Sequence, residues 1–327
     1  MIVLGIETSC DETSAAVVKD GRIILANEVA SSLKFHKKYG GIIPEIASRM
    51  QLETITRVCD SAIKEAGVTL KNIDLISVTS GPGLLGSLLV GISFAKSLSL
   101  SLKVPLIGVN HVYGHFYANF LSFKNIKLPL VACVVSGGHT SLFYVRDFDK
   151  IDFLGSTQDD ACGEAFDKVA KILKLGYPGG PIIEKMAKQG NPNKIKFNCS
   201  GVKNVFDFSF SGIKTAVLYF AKARQLNRQN VRDVCASFQE AVIDVLVKKS
   251  IYACGFKNSK QLLLGGGVVA NGLLRKKFAQ SALDNKINCY FPPIALCMDN
   301  AAMIAGLGFQ LFKKGQRAGL DLNVELN

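Results

Sequence analysis

The sequence predicts an α/β protein of two lobes, each built on a sheet that mixes parallel and antiparallel strands. Short apolar strands alternate with helical segments along the chain, a pattern typical of α/β sheets. At 327 residues the chain is also long for a single hydrophobic core, which favours two lobes. In addition, an apolar strand, a small polar turn and a second strand opening on Thr-Ser occur twice, over residues 3–18 and 131–145.

This duplication has a functional implication. Two like lobes whose turns face each other build a cleft suited to a nucleotide phosphate. The first turn contains Ser9, and the second contains Ser136, Gly137 and Gly138. We therefore expect an enzyme with a nucleotide cleft between its lobes rather than a scaffold protein.

The first lobe is expected to begin with a run of three strands. Residues 19–22, Lys-Asp-Gly-Arg, predict a hairpin turn into a third strand over residues 23–29. A loop over residues 34–44 follows. An apolar stripe at helical spacing then predicts a helix from Pro44, with Gly67 at its end.

Further along, strands are predicted at residues 73–79 and 104–109, with a helix rich in Gly and Ser between them. That helix, residues 84–102, is the longest apolar candidate, but small and polar residues interrupt it, so we expect a buried helix and no membrane span. The chain also opens directly on a strand, without the basic region of a signal peptide. These features predict a cytoplasmic protein.

The second lobe repeats this order of elements. After its own hairpin, acidic residues in a first helical turn predict a helix at residues 159–170. A loop rich in Gly and Pro and two further helices follow. A buried strand then runs into the glycines of residues 265–267, and another helix is expected to open near Asn271.

The charge of the chain favours a polyanionic partner. It carries 39 Lys and Arg against 26 Asp and Glu, a net charge of +13. Such an excess is most often explained by nucleic acid, although a Lys-rich proteome would produce it too. Residues 34–39 interleave basic residues with Phe35, His36 and Tyr39, which suits contact with phosphates and stacking on bases. The nine cysteines include no C-x-x-C pair, so we expect reduced, core-filling thiols.

His111 and His115 are four residues apart, and at this spacing both side chains project from one face of a helix. This is metal-ligand spacing, although two structural histidines would also fit it. A metalloprotease would need Glu directly after the first histidine, where this chain has Val112. Asp299 is our candidate third ligand. Two histidines and one carboxylate leave coordination positions open for substrate, which suits catalysis.

Glycine-rich turns are a second candidate for ligand binding. The glycines of residues 265–267 let the backbone approach a ligand closely and direct a helix N-terminus toward it. Together with Asn271 and the turn at residues 136–138, they favour a nucleotide over a simple tight turn. A dinucleotide site is disfavoured, because the G-x-G-x-x-G of residues 81–86 contains Pro82 and lacks a later acidic residue.

Nine motifs, in order along the chain, resemble those of one enzyme family. They include Gly5-Ile6-Glu7-Thr8-Ser9-Cys10-Asp11-Glu12-Thr13, residues 111–115, Val135-Ser136-Gly137-Gly138-His139-Thr140, Gly163-Glu164-Ala165-Phe166-Asp167-Lys168 and residues 265–271. The chain is similar over essentially its whole length to the tRNA N6-adenosine threonylcarbamoyltransferases. In bacteria these are the TsaD transferases, formerly called glycoproteases (Gcp).

The resemblance implies an actin-like (ASKHA, ribonuclease H-like) fold, duplicated into two lobes with mixed sheets. We expect an N-terminal lobe over residues 1–108, with a C-terminal helix of residues 300–327 packing back on it. The C-terminal lobe, residues 109–299, would carry the nucleotide and metal site at the interlobe cleft. The implied reaction transfers a threonylcarbamoyl group from threonylcarbamoyl-AMP to N6 of adenosine 37, forming t6A in tRNAs that read codons beginning with A.

The resemblance also assigns roles residue by residue. Metal ligands fall on His111, His115 and Asp299, for one divalent ion per subunit, iron or zinc. No side chain is assigned as a general base. Substrate contacts fall on residues of the second lobe, with Glu184 near the ribose: Val134, Val135, Ser136, Gly137, Gly138, Asp167, Gly180, Glu184 and Asn271.

The implied partners are tRNA, threonylcarbamoyl-AMP, an inactive paralogue of the TsaB type that docks on the N-terminal lobe, and a small P-loop ATPase of the TsaE type. Small residues in segment 87–102 would permit close approach of a partner helix. We expect tRNA on a basic face beside the cleft mouth, with phosphate contacts from Lys34, Lys37, Lys38 and Arg49.

Two positions depart from the bacterial pattern of this family. Tyr113 stands where relatives often carry Glu, and Gln51 stands where they often carry His. Neither replaces an expected ligand, so the resemblance still implies activity. The expected tRNA contacts lie near Gln51. Three other functions stay open: an actin-fold small-molecule kinase, a nucleic-acid-binding protein without chemistry, and, less favoured, a protease dependent on Cys and a metal.

Overall fold

The computed structural model describes residues 1–199 and 201–325, with the side chain of Lys37 excepted. The chain divides into two compact units, one formed by Met1–Ile126 with Met298–Asn327 and the other by Lys127–Cys297. These boundaries differ from the expected ones, because residues 109–126 continue from a strand of the first sheet and pack against its last helix.

The first unit is built on a five-stranded sheet. Its strands are β1 (Ile2–Glu7), β2 (Glu12–Lys19), β3 (Ile23–Ser31), β4 (Leu75–Gly81) and β5 (Leu106–Asn110), in the order β3-β2-β1-β4-β5. The pairs β1–β2 and β2–β3 are antiparallel, whereas β1–β4 and β4–β5 are parallel. The predicted hairpin turn joins β2 to β3, with φ of +52° at Asp20 and +69° at Gly21, as a type I′ turn requires.

The second unit contains a sheet of the same design. Its strands are β6 (Leu130–Val135), β7 (Thr140–Asp147), β8 (Lys150–Ser156), β9 (Gln261–Gly265) and β10 (Asn288–Tyr290), in the order β10-β9-β6-β7-β8. Here β6 takes the place of β1, because it pairs antiparallel with β7 and parallel with β9. The edge pairs β7–β8 and β9–β10 also match. The shared topology confirms the duplication predicted from the sequence.

Helices cover both faces of the first sheet. They are α1 (Leu33–His36), which occupies part of the predicted loop, α2 (Pro44–Glu65), α3 (Leu85–Leu102), α4 (His111–Tyr117) and, late in the chain, α10 (Ala301–Lys313). Leu4 and Ile6 of β1 face the core that α2 and α3 cover. On the opposite face α10 packs so closely on β1 that a Cβ at Gly5 would lie 2.3 Å from the carbonyl oxygen of Ala301.

The last helix is shorter than the expected 300–327. It ends at Lys313, and Gly315 follows with φ +92°, a conformation that L-residues rarely adopt and that suits a helix end. The chain then returns to the first sheet, where Ala318 forms an isolated bridge with Leu106.

The helix α3 is long and apolar enough to cross a membrane by length and composition alone. A helix that covers a sheet passes the same test, and Ile92 and Ala95 of α3 lie in the core of the first unit. Its outer face is different, because Leu85, Leu89 and Leu100 are 53%, 43% and 64% exposed. The prediction of a buried helix is therefore wrong for that face.

The second unit contains α5 (Cys162–Ile172), α6 (Gly179–Ala187), α7 (Ser211–Lys222), α8 (Arg228–Phe256) and α9 (Gly272–Asp284). The predicted helix start lies close to its observed position, where the carboxylate of Glu164 accepts from the main-chain N–H of Ala161 at 3.3 Å. The long helix α8 lines the core, and Phe238 packs edge-on against Phe166 of α5 with ring centroids 5.0 Å apart.

Candidate metal centre and ligand-binding loops

The two histidines lie at the start of a helix that directly follows a strand. Asn110, the last residue of β5, caps α4 by accepting from the main-chain N–H of Tyr113 at 3.2 Å. The cap sets the start of the helix at His111, so His111 and His115 occupy successive turns of one face. Their ring centroids lie 4.6 Å apart in an edge-on arrangement.

Asp299 reaches the same point from the segment that precedes α10. Its Oδ1 lies 3.6 Å from Nε2 of His111 and 3.3 Å from Nε2 of His115. One ligand atom from each of the three residues lies within 4.8 Å of the others. The structure therefore brings together the three residues predicted as metal ligands, and all three belong to the first unit.

The chemistry of this group fits a metal ion. His111 and His115 are 4% and 1% exposed. Nε2 of His115 is buried and makes no hydrogen bond to any residue that the structure describes, although Oδ1 of Asp299 lies 3.3 Å away. A buried nitrogen left in this state is costly, and a bound cation would satisfy it. Two imidazoles and one carboxylate suit zinc or iron, and the partly exposed Asp299 leaves the group open on one side.

Charged neighbours shape the electrostatics of this group. Burial lowers the pKa of His111, but the negative charges of Glu7 and Asp299 outweigh burial and raise it to about 9. Burial raises the pKa of Glu7, whereas its attraction and hydrogen bond to His111 bring it below the usual range. Burial, with repulsion from Asp299 and Asp11, raises the pKa of Glu12 to about 10.

Glu7 is a member of the group to which the sequence assigned no role, although it lies within the first family motif. Its Oε2 lies 3.0 Å from Nδ1 of His111. The signal that could have found it is a carboxylate closing an otherwise apolar strand, where burial requires a partner.

Gln51 is buried, with 1% of its surface exposed. Its Nε2 donates to the main-chain carbonyls of Cys10 at 2.9 Å and Glu12 at 3.0 Å, with a longer contact of 3.4 Å to Thr8. This side chain therefore holds the turn between β1 and β2 from the protein interior. Because its side chain is so deeply buried, Gln51 does not offer a surface for tRNA to contact directly.

The candidate nucleotide loops leave the second sheet side by side. Val134 of β6 pairs with Gly265 of the parallel strand β9, so the turn at 136–138 and the glycines at 265–267 follow the carboxyl ends of adjacent strands. This is the edge where open α/β sheets bind ligands. Gly266 has φ +96°, and a Cβ there would lie 2.4 Å from the carbonyl oxygen of Val135, so only glycine fits.

Three glycines near this edge border open space. A Cβ added to Gly137, Gly138 or Gly180 would meet no atom within 4 Å. The side chains of Val134 and Val135 are fully buried, so these two residues can offer a ligand only their main chain.

Near these loops, polar side chains accept hydrogen bonds from the first main-chain N–H groups of two helices. Asp167 accepts from the main-chain N–H of Gly179 at 2.6 Å, at the start of α6. Glu184 accepts from Gly272 at 3.0 Å. Asn271 caps α9 through Leu274 at 3.0 Å and donates Nδ2 to Gln239 at 2.8 Å. The N-terminus of α9 therefore lies against α6 at Glu184, and helix N-termini attract anions.

The basic face predicted for nucleic acid is exposed where the structure describes it. Its exposed members are Lys34, Phe35, Lys38, Tyr39 and Arg49, while the side chain of Lys37 lies outside the described residues. His36 is an exception, because it is fully buried and its Nε2 lies 2.9 Å from Oγ of Ser32. The interpretation of His36 as a nucleic-acid contact is therefore wrong.

Sequence comparison identifies the family. The model of the TsaD family, described as tRNA N6-adenosine threonylcarbamoyltransferase, matches residues 23–306. The chain belongs to this family.

Individual tRNA N6-adenosine threonylcarbamoyltransferases are similar over nearly the whole chain. That of Symbiobacterium thermophilum is 52% identical over 323 residues, which cover 98% of this chain and 95% of the relative. That of Thermosipho africanus is 52% identical and covers 96% of both chains. The Clostridium kluyveri protein of this name is 48% identical, with coverage of 98% and 95%.

Solved structures confirm an actin-like (ASKHA) fold. HypF of T. kodakarensis superposes with a TM-score of 0.66 at 15% identity, over 96% of this chain and 48% of HypF, so the chain spans about half of that protein. The activator of 2-hydroxyisocaproyl-CoA dehydratase from Clostridium difficile, solved with bound ADPNP, has a TM-score of 0.52 at 14% identity and 97% coverage of both chains. At such identities the likeness concerns the fold alone.

Proposed function

We propose that the protein transfers the threonylcarbamoyl group of threonylcarbamoyl-AMP to N6 of adenosine 37, in tRNAs that read codons beginning with A, and so forms t6A. The observation that carries this proposal is the identity of 48–52% with transferases of that name, over nearly the full length of both chains. The grouping of His111, His115 and Asp299 supports it.

In this proposal His111, His115 and Asp299 hold one divalent ion, zinc or iron. When bound, the ion supplies a Lewis acid that polarises acyl or phosphate oxygens and stabilises developing negative charge. The burial of both imidazoles keeps water from one side of the group, which strengthens electrostatic interactions there.

We assign the nucleotide of the substrate to the second unit. The main chain of residues 134–138 would approach the phosphate, supported by the open space beside Gly137 and Gly138. Asp167 and Glu184 offer carboxylate oxygens suited to ribose hydroxyls, at the N-termini of α6 and α9. Gly180 and Asn271 complete the set, Gly180 through its lack of a side chain and Asn271 through the cap that holds α9.

In the proposed reaction the adenine N6 attacks the carbamoyl carbon, the carbon–oxygen bond to phosphate breaks, and AMP leaves. An exocyclic adenine amine is a poor nucleophile, so positioning and activation of the acyl group supply most of the catalysis. We assign no general base.

The tRNA would bind across Lys34, Lys37, Lys38 and Arg49, whose charges suit phosphates. Exposed Phe35 and Tyr39 add rings on which bases could stack. For adenosine 37 to reach its reaction partner, the anticodon loop must present it unstacked. The net charge of +13 supports a polyanionic substrate.

We also propose two protein partners, an inactive paralogue of the TsaB type and a small P-loop ATPase of the TsaE type. We assign the paralogue to a groove of about 400 Å³ between α2 and α3, lined by Leu52, Leu89 and Phe94 among others. Leu52 and Leu89 are 68% and 43% exposed, and apolar side chains exposed side by side often mark a protein interface. Full multiple-turnover activity of the chain alone would contradict this assignment.

We also propose a cytoplasmic location. The reaction is tested by incubating the protein and both partners with ATP, preformed threonylcarbamoyl-AMP and unmodified tRNA. Nucleoside mass spectrometry should find t6A. The alternative, an actin-fold small-molecule kinase, has less support because the relatives at 48–52% identity are transferases. It would convert ATP to ADP with a small acceptor and leave the tRNA unmodified.

A further inference from the structure

The carboxyl end of β1 holds a buried carboxylate that the proposed reaction does not use. Glu7 is 0% exposed, and a carboxylate removed from water is costly unless donors pair with it. Two donors belong to the surrounding framework. The main-chain N–H of Ser9 donates to Oε1 at 2.5 Å, and the hydroxyl of Thr79 on β4 donates to Oε2 at 2.5 Å.

The third partner is a proposed metal ligand. Nδ1 of His111 lies 3.0 Å from Oε2 of Glu7 and 3.1 Å from Oγ of Ser9. An ionised carboxylate only accepts hydrogen bonds, so Nδ1 is the donor in this pair. A neutral imidazole with hydrogen on Nδ1 has its lone pair on Nε2. Nε2 is the atom that faces Asp299, at 3.6 Å from Oδ1.

We propose that Glu7 is a positioning residue, which keeps hydrogen on Nδ1 of His111 and so directs the Nε2 lone pair at the metal group. The inference rests on the proposed metal site and adds one residue to it. Histidines that ligate metals commonly donate their second N–H to a carboxylate, which orients the ring and raises its basicity. If Glu7 served only to join β1 to β4 through Thr79, replacing it would leave the tautomer of His111 and the metal affinity unchanged.

Glu7→Gln separates these roles. A glutamine offers one oxygen and one NH₂ group, so it cannot accept at both positions. If its NH₂ faces Nδ1 of His111, it donates to that atom and drives the hydrogen to Nε2. If it faces the N–H of Ser9 instead, two donors oppose each other and the side chain is displaced. Either way Zn²⁺ should bind about 10–100-fold more weakly.

The affinity is measured on the metal-stripped full chain by competition with a chelator of known Zn²⁺ affinity. Glu53→Gln is the matched control, because Glu53 is an exposed residue of α2, and its Zn²⁺ affinity should equal that of the wild type. If Glu7→Gln binds Zn²⁺ within about threefold of the wild type, far less than the loss typical of an outer-shell partner, the positioning role is wrong while the metal site stands.

A second readout needs no variant at Glu7. The chain has 4 histidines, so the ¹⁵N spectrum of selectively labelled protein is simple, and His111→Ala identifies the His111 signals. With Zn²⁺ bound, the wild type should show hydrogen on Nδ1 of His111. Hydrogen on Nε2 would overturn the inference, even if Glu7→Gln fails to fold. Failure of the wild type to bind Zn²⁺ would overturn the metal site and this inference together.

Discussion

The side-chain amide of Gln51 donates to the carbonyl oxygen of Cys10 across 2.9 Å, and so joins the middle of α2 to the turn that follows β1. The same nitrogen contacts the carbonyl of Glu12 at 3.0 Å. The turn precedes β2. It lies near the metal group, because Glu7, which directly precedes the turn, contacts His111 at 3.0 Å. A residue that departs from the bacterial pattern therefore acts on the turn from inside the protein.

Gln51→Ala should destabilise the first unit, because it leaves buried carbonyl oxygens without a donor. The expected loss is about 1–3 kcal/mol of unfolding free energy. Gln51→His keeps a ring N–H and should lose less. Denaturant unfolding measures both, and an unchanged unfolding free energy in Gln51→Ala would contradict the role of the donated hydrogen bonds at this position.

His111→Ala and Asp299→Asn should each remove bound metal and lower transfer by at least about 100-fold. Folding should persist, since Asp299 is partly exposed and the core of the first unit is built from other residues. Metal analysis, circular dichroism and single-turnover transfer are the measurements. Asp60→Asn is the control, because Asp60 is an exposed carboxylate of α2. Wild-type metal content in His111→Ala would contradict the assignment.

Side chains added at the open glycines should block the nucleotide without harming the fold. Gly137→Leu and Gly180→Leu place their new atoms where a Cβ meets no protein atom within 4 Å, so stability should change little, as at ordinary surface positions. Affinity for a non-hydrolysable analogue of threonylcarbamoyl-AMP should fall at least about tenfold, roughly 1.4 kcal/mol.

Gly255→Leu serves as the control for this pair, since a Cβ at Gly255 also meets no atom within 4 Å and the residue lies near the C-terminal end of α8. Calorimetric titration measures the affinity of all three variants for the analogue, and Gly255→Leu should bind it as the wild type does. Unchanged affinity in both Gly137→Leu and Gly180→Leu would move the nucleotide site elsewhere.

Reversing the charges of Lys34, Lys38 and Arg49 to Glu should weaken tRNA binding steeply, and most at low salt. Each lost phosphate contact should lower the slope of log affinity against log salt by about 0.7–0.9. A filter-binding series across salt concentrations measures the slope. The triple change Lys64→Glu, Lys71→Glu and Lys124→Glu, also on exposed positions of the first unit, alters net charge equally. Equal losses in both triples would mean that overall charge, not this face, binds tRNA.

Most of the fold could be predicted from the sequence, because local signals agreed with the tertiary structure. The repeated strand–turn–strand pattern predicted two sheets of one topology, and Gly67 correctly marked the end of α2, since its φ of +66° favours glycine. The end of α10 was missed, because the expected helix ran on to residue 327 while the backbone turns at Gly315.

The candidate site could be predicted only where residue type and spacing carry the chemistry. The i, i+4 spacing identified His111 and His115, and Asp299 needed both ligand chemistry and family resemblance. Burial, in contrast, depends on long-range packing that no local pattern reports. For this reason the sequence did not predict that His36 and Gln51 are buried, or that the buried Glu7 contacts His111.

We hold above all that this chain modifies adenosine 37 of tRNA through the group formed by His111, His115 and Asp299. The decisive measurement is single-turnover transfer from preformed threonylcarbamoyl-AMP to unmodified tRNA, with both partner proteins present. We predict t6A at position 37 with the wild type, and none with Asp299→Asn or with a tRNA that carries guanosine at 37. Absence of t6A with the wild type would refute the proposed reaction, and equal t6A with Asp299→Asn would refute the role of the metal group.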